Sequence, residues 1–244
     1  MTDPRTSIIH ERLKPIRRII AVSSGKGGVG KSLIATTLAL ELSQAGCKVG
    51  LFDLDFTSPT THIILGTPDN TQPTEDKGLI PPNINGLEYM SLIYYTKDQP
   101  APLRGEDTSN ILIELLAVTH WNKLDYLIID MPPGIGDSVL DLIRLIKNVE
   151  FLIVTTPSRL AFETVKKLAT LLQELYVPVI GVVENMKMNK QDEIQRQIKK
   201  LNLPYLGEIP FDPNVEAAIG KPSALLNTAI SKQIKTVVSQ TLNP

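Results

Sequence analysis

The sequence predicts a doubly wound α/β fold: a mostly parallel sheet with helices on both faces. Three observations carry this reading. Short apolar runs rich in Ile and Val recur along the 244 residues, each ended by Gly, Pro, Asp or Ser/Thr. Stretches with apolar residues three or four apart separate those runs. A glycine-rich loop joins the first run to the first such stretch. With 42% hydrophobic and 21% charged residues, the chain can bury a sizeable core and is not of disordered composition.

Residues 1–17 read as a polar N-terminal arm, since Arg5, Arg12, Lys14 and Arg17 share it with Asp3 and Glu11. One domain is expected over residues 18–244. Residues 18–23 form the first buried strand, and the glycine loop follows. Ile34, Leu38 and Leu42 then mark one face of a helix that ends near Gly46. Residues 48–53 are the next strand, completing a βαβ unit and implying parallel pairing. From Gly66 to Asn85 the composition turns to Pro, Thr, Asn and Asp, which reads as an exposed loop insertion. Residues 126–130 are a buried strand broken by Pro132-Pro133-Gly134, and Val139, Leu142, Ile143 and Ile146 give the helix after it. Strands over 151–156 and 179–183 flank a helix around Val165 to Leu175. Ile194, Ile198 and Leu201 share a further helix face, and residues 205–209 are a last short strand.

Gly25-Lys26-Gly27-Gly28-Val29-Gly30-Lys31-Ser32 matches G-x-x-x-x-G-K-[ST] between a predicted strand and a predicted helix, the setting of a phosphate-binding P-loop. Glycines let the backbone N–H groups close on phosphate oxygens, and the helix N-terminus adds partial positive charge. Lys31 is expected to reach the β- and γ-phosphates of ATP, and the Ser32 hydroxyl to ligate Mg2+. A fortuitous glycine turn is the competing explanation, weakened by the flanking strand and helix. Asp53 and Asp55 stand at the end of the second strand, where open sheets place ligands. They share a face if the strand continues, or flank its exit if it turns. Asp130 closes the apolar run Leu127-Ile128-Ile129, a costly place for a carboxylate unless it meets a cation or hydrogen bonds. In its place after that strand it resembles the Walker B aspartate of P-loop proteins, which implies that it holds Mg2+ through water and that Gly134 is the switch glycine whose N–H senses the γ-phosphate.

Lys26 is a second lysine inside the loop, and K-G-G-V-G-K-S resembles the deviant P-loop of the MinD/ParA class. That resemblance implies a homodimer in which Lys26 reaches the partner's nucleotide; the alternatives are its own nucleotide or solvent. It also implies Asp55 as the residue that directs the attacking water and Asp53 as an outer partner of Mg2+, either of which could otherwise only cap the loop. The stretch from Trp121 to Asp137, with Asp130-Met131-Pro132-Pro133-Gly134 inside it, is similar to the signature of the Mrp/ApbC family of iron–sulfur ATPases. Ser58-Pro59-Thr60, Leu65-Gly66, Arg104-Gly105, Glu184-Asn185-Met186 and Gly220-Lys221-Pro222 agree with it. By that resemblance Asn185 binds the adenine edge and the Pro210 to Asp212 loop closes over the base; Asn185 could instead cap a strand end.

The family places a C-x-x-C pair shortly after Glu184-Asn185-Met186, where this chain reads Lys187-Met188-Asn189-Lys190-Gln191. The only cysteine is Cys47, so a dimer supplies two thiols where an iron–sulfur cluster normally takes four. The chain is therefore expected to bind ATP or ADP with Mg2+ but not a bridging cluster, and to work on a client metalloprotein or assembly factor. The competing class is a positioning or partitioning ATPase on membrane or DNA. Against it, the formal charge is −1, and the last helix offers Lys232 and Lys235 as its cations. A nucleotide-gated module without turnover is a third class, opposed by the full set of Asp53, Asp55 and Asp130. One cysteine, no signal-like N-terminus and no apolar run near the ~20 residues of a membrane span make a cytoplasmic location the expectation.

Overall fold

A computed structural model describes residues 3–96, 105–188 and 192–242. Helix α1 (Arg5–Leu13) leads into strand β1 (Ile16–Ser24), helix α2 (Lys31–Gln44), strand β2 (Val49–Asp53) and the short helix α3 (Thr61–Leu65). Strands β3 (Thr74–Glu75), β4 (Leu79–Ile80), β5 (Asn83–Ile84) and β6 (Leu87–Ser91) come next, then helices α4 (Ile93–Thr96) and α5 (Gly105–Val118). Strand β7 (Leu124–Asp130), helix α6 (Asp137–Leu145), strand β8 (Val149–Thr155), helix α7 (Arg159–Glu174) and strand β9 (Val179–Lys187) follow. Helix α8 (Glu193–Lys200), strand β10 (Tyr205–Pro210) and helices α9 (Val215–Ala218), α10 (Pro222–Leu225) and α11 (Ala229–Thr241) end the order.

Eight strands form one sheet in the order β10-β9-β8-β1-β7-β2-β6-β5, parallel throughout except where β5 runs against β6. The doubly wound fold is thus as predicted, with one refinement: β1 and β2 are not neighbours, because β7 lies between them. From β1 the chain moves to β2 on one side, and from β7 to β8 on the other, which makes the carboxyl ends of β1 and β7 the switch point where such sheets bind ligands.

Burial explains the composition of the central elements. Ile19, Ile20, Ala21 and Val22 of β1 and Leu127, Ile128 and Ile129 of β7 are fully buried, as strands covered on both faces must be. Helix α2 lies against β1, β2 and β7 on one side and α11 on the other. That accounts for its burying most of its circumference, including Glu41, which is hydrogen-bonded by Ser231 of α11.

Two expectations need correction. The stretch taken as a polar arm contains α1, whose Ile9 and Leu13 are buried and which packs on α5 and α6. Its charged residues occupy the outer side of an amphipathic helix, and Arg12 donates to the carbonyls of Ala117 and Lys77. The predicted insertion over 66–85 is not all loop either: β3 and β4 pair into a small antiparallel ribbon, and β5 closes the edge of the main sheet. Of the residues read as family-like, Arg104 lies outside the described residues, as do Asn189, Lys190 and Gln191. Among the described residues no helix is long and apolar enough to cross a membrane.

Candidate functional site

The loop from Gly25 to Gly30 links β1 to α2. Lys26 to Leu33, with Asp55, Thr57, Ser58, Thr60 and Pro133 opposite, wall a cleft of about 440 Å³ at the switch point. The glycines at the two ends of the loop are required. Gly30 sits at φ 83°, and a Cβ there would run into the Asn185 amide. A Cβ on Gly25 would run into Thr164 of α7. Lys26 is exposed, and among the described residues its ammonium makes no ion pair; its carbonyl accepts the Ser24 hydroxyl at 2.9 Å. Gly27, Gly28 and Val29 line the cleft between them.

Beneath the loop, Lys31 Nζ lies 2.6 Å from Asp130 Oδ1 and 3.2 Å from Ser32 Oγ. Burial raises the Asp130 carboxyl above its ordinary range, opposed by the Lys31 ammonium. Asp130 Oδ2 is buried with no hydrogen-bond partner among the described residues. Such an orphan acceptor beside the Ser32 hydroxyl suits a hydrated divalent cation, so the residues present fit Mg2+. Among the described residues no cluster of three or more His, Cys, Asp and Glu side chains could hold a metal ion by itself. Magnesium here would share its ligands with phosphate and water.

The strand register brings the carboxylates together. Asp53 of β2 is the direct neighbour of Asp130 of β7, and both are buried. The strand ends at Asp53 and the chain turns, so the second of the two open alternatives holds. Asp53 points inward: Oδ1 accepts the Asp55 amide at 3.0 Å, and Oδ2 accepts Thr61 Oγ1 at 2.6 Å and the Thr61 amide at 3.3 Å. Burial and then the neighbouring Asp130 raise its carboxyl to about 7, against the hydrogen bonds from Thr61 and Asp55. Asp55 lines the cleft, where its Oδ1 accepts Thr57 Oγ1 at 2.9 Å and the Ser58 amide at 3.1 Å.

The remaining predicted residues stand around this centre. Gly134, at φ 97°, donates its N–H to Ser24 O at 2.9 Å, on the strand that feeds the P-loop. Asn185 is buried and donates Nδ2 to Val29 O at 2.9 Å, so it touches the loop itself. Pro210 and Asp212 lie outside the cleft walls; Asp212 accepts from Asn214 N at 2.9 Å and from Ala229 N at 3.4 Å, tying its loop to the start of α11. Sequence reading missed Thr61 and Tyr89, whose hydroxyls meet at 2.9 Å behind Asp53, and Lys187, buried between Glu184 and Glu208. No local pattern marks the Thr61–Tyr89 and Lys187–Glu208 contacts, whose members lie far apart in the chain.

A sequence-family model described as ParA, NUBPL iron-transfer P-loop NTPase, matches residues 15–243. The iron-sulfur cluster carrier protein of Rickettsia conorii is 38% identical over 214 residues, covering 87% of this chain and 67% of that protein. The chain thus spans about two thirds of the length of that relative. The iron-sulfur cluster carrier protein of Methanocaldococcus jannaschii is 35% identical over 251 residues, covering 95% of this chain and 86% of the relative. Among solved structures, a nucleotide-binding protein in complex with ADP from Archaeoglobus fulgidus superposes with a TM-score of 0.77 at 30% identity, covering 90% of this chain and 92% of that one. With the P-loop, the Lys31–Asp130 pair and a family match over nearly its whole length, the chain belongs to the NUBPL-type iron-transfer P-loop NTPases of the ParA group, the Mrp/ApbC kind of ATP-binding protein.

Proposed function

We propose that the chain is a homodimeric ATPase that hydrolyses ATP slowly until a client metalloprotein or assembly factor stimulates it. It serves iron–sulfur assembly in the cytoplasm without carrying a bridging cluster itself. The observation that carries the ATPase reading is the buried Lys31–Asp130 pair under the P-loop, with one Asp130 oxygen left open beside Ser32. The P-loop amides and the α2 N-terminus receive the phosphates, and Lys31 turns to the β- and γ-phosphate oxygens. Ser32 and, through water, Asp130 would hold Mg2+, which would supply neutralisation of phosphate charge. Asp55, on the cleft wall, orients the attacking water, and the exposed Lys26 reaches the partner protomer's nucleotide. Gly134, bonded to the strand that feeds the loop, senses the γ-phosphate, and Asn185, bonded to the loop at Val29, meets the adenine edge. The Pro210 to Asp212 loop closes over the base when nucleotide is bound. This chemistry is positioning and charge neutralisation.

The thiol count supports the second half of the reading, because a dimer of this chain offers two cysteines against the usual four cluster ligands. A membrane- or DNA-bound positioning ATPase is less well supported: α11 packs against α2 and β10, which covers its apolar face. Anaerobic reconstitution with iron and sulfide, followed by bound iron per dimer and phosphate release, tests both halves. The expected result is ATP hydrolysis with no stoichiometric iron. Stable stoichiometric iron overturns the cluster-free reading, and absence of phosphate release overturns the ATPase reading.

A further inference from the structure

The loop of residues 54–60 carries Asp55 between β2 and α3, and one carboxylate holds both of its ends. Asp53 Oδ1 accepts the amide of Asp55 at the loop's start. Asp53 Oδ2 accepts the hydroxyl and the amide of Thr61, the first residue after the loop. The Thr61 hydroxyl has a single hydrogen, which is directed to Asp53. The Tyr89 hydroxyl, on strand β6 next to β2, lies 2.9 Å from the Thr61 hydroxyl and hydrogen-bonds to it. Asp53, Thr61 and Tyr89 are all buried, so the relay is shielded from water. Tyr89 is itself wedged edge-on against Tyr94, with ring centroids 5.8 Å apart.

We propose that Thr61 and Tyr89 are positioning residues for ATP hydrolysis: they orient the Asp53 carboxylate so that it clamps both ends of the loop and sets Asp55 against the P-loop. This rests on the ATPase reading given above. Neither side chain lines the cleft, so their effect falls on the placement of Asp55 and not on nucleotide binding. A misplacement of about 1 Å at a reacting group can cost about a hundredfold in rate, which sets the scale of the effect.

The test compares wild type with Thr61→Val, Thr61→Ser and Tyr89→Phe, reading steady-state phosphate release and the affinity for a fluorescent ADP analogue. Thr61→Val keeps the shape and removes the hydroxyl; it is expected to lower kcat by about tenfold to a hundredfold while nucleotide affinity stays within about twofold. Thr61→Ser restores kcat, and Tyr89→Phe lowers it by a smaller factor at unchanged affinity. Should Thr61→Val fail to fold, the Tyr89→Phe comparison carries the same test. Wild-type turnover in Thr61→Val or Tyr89→Phe overturns the inference. A joint loss of affinity and kcat that serine does not rescue does so too. A wild-type protein that binds nucleotide and releases no phosphate overturns the ATPase reading, and this inference with it.

Discussion

Lys31 Nζ and Asp130 Oδ1 stand 2.6 Å apart with side chains 6% and 0% exposed, joining the first residue of α2 to the last residue of β7. Removing one member of such a pair leaves an uncompensated buried charge, at a cost of about 3–5 kcal/mol. Lys31→Met and Asp130→Leu are each expected to lower the unfolding free energy by an amount of that order and to abolish ADP binding. The double variant leaves neither charge, so it recovers most of the stability and none of the affinity. Urea unfolding with an ADP titration measures both. Additive destabilisation in the double variant would show that the two charges are not coupled.

Lys26 is exposed and among the described residues forms no ion pair, so its removal touches little in its own protomer. Lys26→Ala is expected to leave stability within about 0.5 kcal/mol, as for other surface substitutions. Phosphate release should nevertheless fall by about 10³, the scale of a trans-acting arginine finger. A mixing experiment assigns the direction. Lys26→Ala and Asp55→Ala are each inactive alone, but in a mixed dimer one site receives a working lysine and a working aspartate. Random assortment of the two in a symmetric dimer returns about a quarter of wild-type turnover. No recovery on mixing would place the action of Lys26 within its own protomer.

What was legible in the sequence was local. The P-loop, the strand-end carboxylates Asp53, Asp55 and Asp130, and most helices and strands could be read because spacing and apolar period are properties of a short window. Helix α1 was missed because Ile9 and Leu13 are two buried apolar residues among many charges, and only α5 and α6 reveal that they are covered. Strand β6 and helix α5 went unread beside a polar insertion, although Leu112, Leu115 and Leu116 of α5 keep the i, i+3, i+4 spacing of a buried helix face. The place of β7 between β1 and β2 depends on long-range pairing that no window of the sequence contains. The Thr61–Tyr89 relay and the Asn185 amide on Val29 O are likewise products of topology.

Cys47 links the cluster-free reading to a pH measurement. Burial raises its thiol above the ordinary value of 9.0, and the nearby Asp125 acts in the same direction. The thiolate is the reactive form and the metal ligand, so less of it is present at neutral pH than for a free cysteine. The alkylation rate is expected to lie below that of a model thiol at pH 7 and to rise about tenfold per pH unit. It should still be climbing at pH 9, where the model thiol begins to level off. Rapid alkylation at pH 7 would show a depressed value and restore Cys47 as a candidate metal ligand.

Gly66 and Gly220 lie far apart in the sequence and meet in space, fixing helix α3 and therefore the far end of the Asp55 loop. Gly66 caps α3 at φ 62°, and a Cβ there would run into the Gly220 carbonyl. The Gly220 amide donates to Ile64 O at 3.2 Å, closing the contact from the other side. Gly66→Ala meets two penalties at once: left-handed backbone for a residue with a Cβ, about 1–2 kcal/mol, and overpacking against a main chain that cannot swing away, about 1–3 kcal/mol. The expected loss is about 2–5 kcal/mol by urea unfolding. Because α3 begins at Thr61, the folded fraction should also show a lower kcat at nearly unchanged ADP affinity. Gly46→Ala is the control: it too has a positive φ, 88°, but a Cβ there meets nothing within 4 Å, so only the backbone penalty applies. Equal losses at the two positions would mean that the Gly66–Gly220 contact adds nothing beyond its backbone conformation.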